Sequence, residues 1–293
     1  MVNGIINVYK EKGYTSFDVV ARLRGIYHQK KIGHTGTLDP DAEGVLPVCL
    51  GKATKVCDLL TDKDKVYRAV LLLGQATDTQ DISGQITDWA AVNVREEEVT
   101  EAIKSFIGDI KQIPPMYSAL KVNGQKLCDL ARKGITVERK ARDISIYDIK
   151  IEKIDLPEVT FTVHCSKGTY IRTLCHDIGL KLGCYGCMKS LVRTRVSVFD
   201  ISQARSLSEI ENAPEKGIIS VDSLFMDKRE VLAVPEAGRL ISNGNRIPLG
   251  LTECDDMKDK EQVRLYTSCH VFVGIYEYYP ECGDLKPVKI FME

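Results

Sequence analysis

The sequence lacks an excess of charge of either sign, because 40 lysine and arginine residues are balanced by 41 aspartate and glutamate residues. This balance excludes a globally basic protein, so contact with a polyanion must depend on local basic patches. The sequence also lacks an apolar run that approaches the roughly 20 residues needed to span a bilayer. We therefore expect a soluble protein with no membrane partner.

The opening residues lack the apolar stretch of a secretory signal peptide. The ten cysteines are scattered through 293 residues, and no short disulfide-rich framework is visible. We interpret them as reduced, mostly buried thiols of a cytoplasmic protein. The C-x-x-C pair Cys184 and Cys187 lacks the second pair of ligands that a zinc site needs, so we expect no metal.

Hydrophobic periodicity indicates that strands and helices mix along the chain without the regular alternation of a doubly wound sheet or a barrel. We therefore predict an α+β domain with a mainly antiparallel sheet over residues 1–222. Turn signals such as Asn243-Gly244 separate short strand candidates after it, which predicts a small β domain over residues 223–293. The predicted strands are 5–9, 66–73, 144–154, 159–165, 231–234, 263–266, 271–276 and 288–291. The predicted helices begin at Ser16, at the capping pair Asn93 and Glu96 with a stop at Gly108, and at Tyr170.

Residues 31–44 contain three glycines and a proline among polar residues, which predicts a structured loop with no regular element. Within it, Asp39 precedes Pro40. Proline fixes its own φ and restricts the residue before it, so Asp39 is expected in a rigid, extended conformation that suits a catalytic group. Asp-Pro is also a common turn dipeptide, and local chemistry alone leaves both interpretations open.

The run GHTGTLDPDAEGVLPVCLGKATK at 33–55 resembles the signature motif of the TruB family of pseudouridine synthases. Four more blocks follow in the family's order: KVYR at 65–68, LGQATDT at 73–79, PPMYSALK at 114–121 and GTYIRT at 168–173. The resemblance implies the pseudouridine synthase fold, followed by a PUA-like RNA-binding module. It also implies isomerisation of uridine to pseudouridine with no metal or cofactor.

The resemblance gives Asp39 the role of catalytic carboxylate and Arg172 that of the cation that keeps it ionised. It implies that Tyr67 stacks on a flipped-out uracil and is a candidate for proton transfer. Without the resemblance, Tyr67 is equally a core residue on a strand. Tyr170 and Leu191 correspond to walls of the pocket, although Leu191 would otherwise be ordinary core.

The resemblance places His34 in RNA docking, although a lone loop histidine is otherwise more often structural. Residues 121–142 hold seven basic and two acidic side chains, and in this family that segment is a mobile element that grips the tRNA arm. Arg132 in this segment and Lys12 are assigned to substrate binding. Three further basic residues are expected to extend the patch: Lys189, Arg193 and Arg195.

The resulting hypothesis is a monomeric enzyme that converts uridine 55 in the T loop of tRNA to pseudouridine without a guide RNA. A guide-RNA-dependent subunit is the nearest alternative. A tRNA-binding chaperone without chemistry of its own is the alternative from another functional class. A zinc-dependent nucleic-acid enzyme built on Cys184 and Cys187 is the third.

Overall fold

The computed structural model describes residues 1–292, so Glu293, the last residue of the predicted second domain, lies outside the described part. Two sheets organise the chain, one of ten strands and one of five. Helices pack beside the larger sheet, which confirms the α+β fold class. No helix in residues 1–292 is long and apolar enough to cross a membrane.

The chain forms seven helices and nineteen strands within the described residues. The helices are α1 Ser16–Tyr27, α2 Cys57–Thr61, α3 Glu96–Lys104, α4 Leu127–Ala131, α5 Ile171–Lys181, α6 Leu207–Asn212 and α7 Gly238–Ser242. The first ten strands are β1 Gly4–Lys10, β2 Ile32–His34, β3 Glu43–Leu50, β4 Lys65–Leu73, β5 Gln75–Thr77, β6 Ile86–Trp89, β7 Gly108–Gln112, β8 Lys121–Val122, β9 Gln125–Lys126 and β10 Arg142–Asp155. The others are β11 Glu158–Cys165, β12 Gly186–Val196, β13 Phe199–Asp200, β14 Ile218–Ile219, β15 Arg229–Leu232, β16 Ile247–Pro248, β17 Gln262–Tyr266, β18 Phe272–Tyr279 and β19 Asp284–Ile290.

The larger sheet has the strand order β14-β1-β3-β12-β4-β11-β10-β7, with β2 paired to β3 and β13 paired to β12. Its strand pairs are antiparallel except β3 with β12. Alternate side chains of β4 and β11, such as Leu71 and Phe161, are fully buried and share a core with Leu174 of α5. This packing places the start of α5 over the centre of the sheet.

The five-stranded sheet, in the order β15-β17-β18-β19-β16, has an apolar core of its own. It is also joined to the larger sheet, because Phe291 lies in one buried cluster with Val45 of β3 and Val196 of β12. Lys55 Nζ donates a hydrogen bond to the carbonyl of Ile290 at 2.8 Å across the same junction. The two sheets therefore pack as neighbours with a shared apolar contact.

Most predicted elements lie where the hydrophobic pattern places them, including α1, β4, β10, β11 and α5. The predicted cap of α3 is wrong: Arg95 is the N-cap and Glu98 closes the capping box. The predicted stop at Gly108 is also wrong, because the helix ends at Lys104. Gly108 has a φ of +115° and begins β7, which pairs with β10.

The prediction of a continuous loop over residues 31–44 is wrong at both ends. Ile32–His34 forms β2 against β3, and β3 itself begins at Glu43. The hydrophobic pattern also fails to predict β12, whose run is interrupted by Lys189, Arg193 and Arg195. The irregular loop is therefore short, from residue 35 to residue 42, and is anchored on a strand at each end.

Gly44 offers a test of how tightly β3 and β12 approach each other. A Cβ added there would lie 2.2 Å from the Arg193 carbonyl oxygen, and Gly44 has a φ of +104°. We expect Gly44→Ala to lower the free energy of unfolding by about 3 kcal/mol, the sum of backbone strain and overpacking. Gly13→Ala is the control, because Gly13 has a φ of +90° and open space around it. Gly13→Ala should lower the free energy of unfolding by only about 1–2 kcal/mol. Equal losses in the two variants, measured by urea denaturation, would contradict a close approach of β3 and β12 at Gly44.

Candidate active site

The loop of residues 35–42 carries Asp39 and is fixed first by helix α1. Ser16, the first residue of α1, is buried, and its Oγ accepts a hydrogen bond from the Leu38 amide at 2.9 Å. Thr15 caps the same helix, with Asp18 completing the capping box. The position of Leu38, and of Asp39 after it, is therefore tied to a rigid helix start.

Lys10 fixes the second half of the loop. Its side chain is fully buried, and Nζ donates to the carbonyls of Ala42 at 2.6 Å and Pro40 at 3.1 Å. The Gly13 amide also donates to the Pro40 carbonyl, at 3.0 Å. Burial lowers the pKa of Lys10, while the nearby Glu43 and Asp39 carboxylates oppose that change.

Arg193 of β12 fixes the first half of the loop from the opposite side. Its side chain is 1% exposed, and Nε donates to the Val45 carbonyl at 2.7 Å. The two terminal nitrogens make longer contacts with the carbonyls of Gly36 and Thr37, at 3.4 and 3.5 Å. The predicted extension of a surface patch by Arg193 is therefore wrong, because this guanidinium lies inside the protein.

Arg172, the second residue of α5, forms an ion pair with Asp39, with Nε and Oδ2 3.0 Å apart. Its other nitrogens donate to the carbonyls of Thr79 at 3.0 Å and Tyr117 at 2.7 Å. The side chain of Arg172 is 6% exposed, whereas that of Asp39 is 43% exposed. Arg172 is thus fixed inside the protein, and the Asp39 carboxylate that it binds remains accessible to an incoming molecule.

Asp81 is a second carboxylate near Arg172, with Oδ2 and Nη1 3.7 Å apart. Its Oδ1 accepts hydrogen bonds from the Thr79 hydroxyl at 2.8 Å and from the amide and hydroxyl of Ser83 at 3.0 and 2.5 Å. Sequence reasoning did not single out Asp81. Its position two residues after the LGQATDT block was the available signal.

The pKa of Asp39 is raised above its usual value, chiefly by burial of the carboxyl. Arg172 acts in the opposite direction, as the sequence predicts, and Lys10 adds to that effect. The Asp81 charge works against them and favours the protonated form. The ionised carboxylate therefore depends on the Arg172 pair to limit the rise caused by burial.

Tyr67 of β4 lies directly opposite Arg193 of β12 in the antiparallel pairing. Its ring packs against the main core, and its phenol lies close enough to the Arg193 guanidinium for the two groups to interact electrostatically. Burial raises the pKa of Tyr67, and the Arg193 charge opposes that rise. The charge of Asp39 also acts on this phenol, and Leu38, the residue before Asp39, lies in the apolar cluster against which Tyr67 packs.

Leu191 and Tyr170 border the same region. Leu191 is 7% exposed and pairs with Ala69 of β4, so it is part of the core wall. Tyr170 caps α5, and its main chain is held by the Gln112 side chain through hydrogen bonds of 2.7 and 3.0 Å. Burial raises the pKa of the Tyr170 hydroxyl.

Residues 113–141, here called the basic flap, form a small layer beside the site. Met116, Leu127 and Leu130 make its own apolar cluster. The Tyr117 carbonyl accepts from Arg172, so the flap is attached to the cation that binds Asp39. The basic side chains exposed on the flap are Lys121, Lys126, Arg132, Lys133 and Lys140.

Comparisons with known proteins identify the family of the chain. The family model for the TruB family pseudouridylate synthase N-terminal domain matches residues 24–171. A model for the tRNA pseudouridylate synthase B C-terminal domain matches residues 172–222. The chain belongs to the TruB family.

Curated TruB relatives extend the match over nearly the whole chain. The tRNA pseudouridine synthase B of Lachnoclostridium phytofermentans is 50% identical over 99% of this chain and all of its own length. That of Clostridium acetobutylicum is 46% identical over 94% of this chain and 95% of its own. The structure of an H/ACA ribonucleoprotein bound to a substrate RNA that contains 2′-deoxyuridine has a TM-score of 0.72 and 25% identity, covering 99% of this chain and 85% of that one.

Within this TruB site, the structure brings together Asp39, Arg172 and Tyr67. His34 ends β2 nearby, and its Nδ1 accepts from the Gly36 amide at 3.3 Å. Burial and the Arg193 charge lower the pKa of His34, so the ring is neutral at physiological pH and suits hydrogen bonding better than charge attraction.

The remaining predicted binding residues of the TruB chain lie at the surface. The Lys12 side chain is 63% exposed and lies 4.0 Å from Asp41, and that of Arg132 is 74% exposed and 3.6 Å from Asp129. Lys189 and Arg195, the other two residues predicted to extend the basic patch, are partly exposed, and each lies beside a carboxylate. Lys189 pairs with Glu158, and Arg195 pairs with Asp64 at 3.5 Å.

The Asp39 carboxyl should titrate above its ordinary value of 3.8 in the folded protein, because burial raises its pKa. Arg172→Met removes the opposing cation and should raise the midpoint further, whereas Asp81→Asn removes a like charge and should lower it. Carbon-13 NMR of aspartate carboxyls, assigned with Asp39→Asn, measures each midpoint. Unchanged midpoints in both variants would contradict the electrostatic coupling.

Proposed function

We propose that this chain isomerises uridine 55 in the T loop of tRNA to pseudouridine, with Asp39 as the catalytic carboxylate and no guide RNA. The observation that carries the proposal is the 3.0 Å ion pair between Arg172 and a half-exposed Asp39 in a TruB chain. The curated relatives are named tRNA pseudouridine synthase B and span this chain almost completely. An enzyme acting on tRNA is the activity that fits both facts.

The reaction breaks the bond between N1 of uracil and C1′ of ribose and forms a bond between C5 and C1′. A proton leaves C5 and a proton is gained at N1, so no electron acceptor is needed. An anionic carboxylate at this position can add to the base or sugar, or can assist removal of the C5 proton. Asp39 is exposed enough to meet the nucleotide and is held in place by Arg172.

The target base must leave its stack before Asp39 can reach it, which costs a few kcal/mol. Tyr67, Leu191 and Tyr170 supply an aromatic and apolar lining beside the carboxylate. Stacking on one aromatic ring is worth roughly 1 to 3 kcal/mol, which is enough to offset much of that cost. These residues are therefore assigned to the uracil pocket.

The basic flap is assigned to the T arm, because its exposed lysines and Arg132 can neutralise phosphates. Lys12 and His34 flank the loop of Asp39 and are assigned to the same RNA. The catalytic domain spans residues 1–222, and the second domain, 223–293, is assigned as a PUA-like RNA-binding module. The protein acts as a monomer on free tRNA.

Replacing Asp39 by Asn should abolish pseudouridine formation on an unmodified tRNA transcript, because the reacting carboxylate is removed. Binding of tRNA should stay within a few-fold of wild type. Asp41→Asn is the matched control: this carboxylate lies two residues further along the same loop and its side chain is 65% exposed. It should retain activity. Base-specific chemical mapping of uridine 55 measures the product.

Three outcomes separate the alternatives. Turnover by the Asp39→Asn variant would refute the catalytic assignment. Tight tRNA binding by a wild-type protein that forms no pseudouridine would favour the chaperone. Activity that appears only after a guide RNA is added would favour the guide-dependent branch.

Charge reversal on the flap should weaken tRNA binding and flatten its salt dependence. We expect Lys126→Glu or Lys133→Glu to reduce the slope of log affinity against log salt by about 1 for each phosphate that the flap no longer neutralises. Lys104→Glu on α3, another exposed lysine, is the control outside the flap. Filter binding between low and moderate salt measures the slope. An equal change of slope in Lys104→Glu would contradict a specific role of the flap in binding tRNA.

A further inference from the structure

Arg193 is a fully buried cation with no carboxylate partner among residues 1–292. Its hydrogen bonds are one good bond to the Val45 carbonyl and two long contacts to the carbonyls of Gly36 and Thr37. A buried charge is costly unless it is paired or hydrogen-bonded. Contacts of 3.4 and 3.5 Å are weak, so they offset little of that cost.

Arg193 lies close to Tyr67 because of the strand register. The pairing of β12 with β4 sets Arg193 directly opposite Tyr67, so both side chains lie on the same face of the sheet. The Arg193 charge also lowers the pKa of this phenol against the effect of burial. A guanidinium has only donors, so a hydrogen bond between the two groups would run from Arg193 to the phenol oxygen and leave the phenol hydrogen free to point elsewhere.

We infer that Arg193 is a positioning residue for the proposed isomerisation, acting through Tyr67. It fixes the phenol oxygen from inside the protein and directs the hydroxyl hydrogen toward the place that the nucleotide would occupy. It also stabilises negative charge on that oxygen. This inference rests on the proposed function. Arg193 itself touches no substrate, because its side chain is only 1% exposed.

A purely structural role is the competing explanation, since Arg193 also contacts the loop carbonyls of Gly36 and Thr37. The two roles differ in their dependence on the Tyr67 hydroxyl. A structural clamp matters equally with or without that hydroxyl. A positioning residue for Tyr67 matters much less once the hydroxyl is gone.

The test is a double-mutant cycle of Arg193→Lys and Tyr67→Phe, read as the single-turnover rate on tRNA with enzyme in excess. Arg193→Lys should lower the rate by about 10- to 100-fold in the wild-type background, less than the roughly 10²–10³ for complete loss of an aligned donor, because lysine keeps the charge but not the guanidinium geometry. In the Tyr67→Phe background the same change should cost less than about threefold, since the oxygen it acts on is absent. The dissociation constant for tRNA should stay within about threefold in every variant, because Arg193 is not exposed to RNA.

Arg68→Lys is the matched control, because Arg68 follows Tyr67 on β4 and pairs with Glu152 at 2.7 Å. It should change neither rate nor binding. If Arg193→Lys does not fold, Arg193→Gln provides the same cycle, because it keeps an N–H donor without the charge. An equal loss of rate in both Tyr67 backgrounds would overturn the inference. Absence of product from the wild-type enzyme would instead refute the proposed function.

Discussion

The site depends on satisfying the main chain of one irregular loop. Residues 35–42 have no regular hydrogen-bond ladder, and buried carbonyls without partners would be costly. Lys10 supplies donors to the carbonyls after Asp39, and Arg193 reaches those before it. Lys10 therefore holds the second half of the loop through short hydrogen bonds, while Arg193 makes longer contacts with the first half.

Arg172 adds a second constraint, because one guanidinium joins three separate parts of the chain. It binds the Asp39 carboxylate, the Thr79 carbonyl and the Tyr117 carbonyl of the basic flap. The flap is thus joined to the same cation that limits the pKa rise of Asp39. A shift of the Tyr117 carbonyl would move Arg172 and so change the ionisation of Asp39.

The sequence predicts the fold class and the approximate positions of strands such as β4, β10 and β11, because apolar periodicity is a local signal. The motif blocks point to Asp39, Arg172 and Tyr67 through the family resemblance. The sequence does not predict β12, since alternating charged residues hide a central strand. It also misplaces Arg193 at the surface. Only the pairing of β12 with β4 shows that Arg193 lies opposite Tyr67 inside the protein. Asp81 escapes notice for the same reason: its importance lies in a distance to Arg172 that only the folded chain defines.

The formal charge of −1 understates the negative charge of the protein surface. The buried charged residues within 1–292 are all cations: Lys10, Lys65, Arg172, Arg193 and Arg264. No aspartate or glutamate in that range is buried to the same degree, so the solvent-facing surface is more acidic than composition suggests. An acidic surface repels a polyanion over most of its area. Under the proposed function, tRNA would meet the least repulsion at the exposed basic side chains of the flap, so the placement of exposed cations would orient it on the protein.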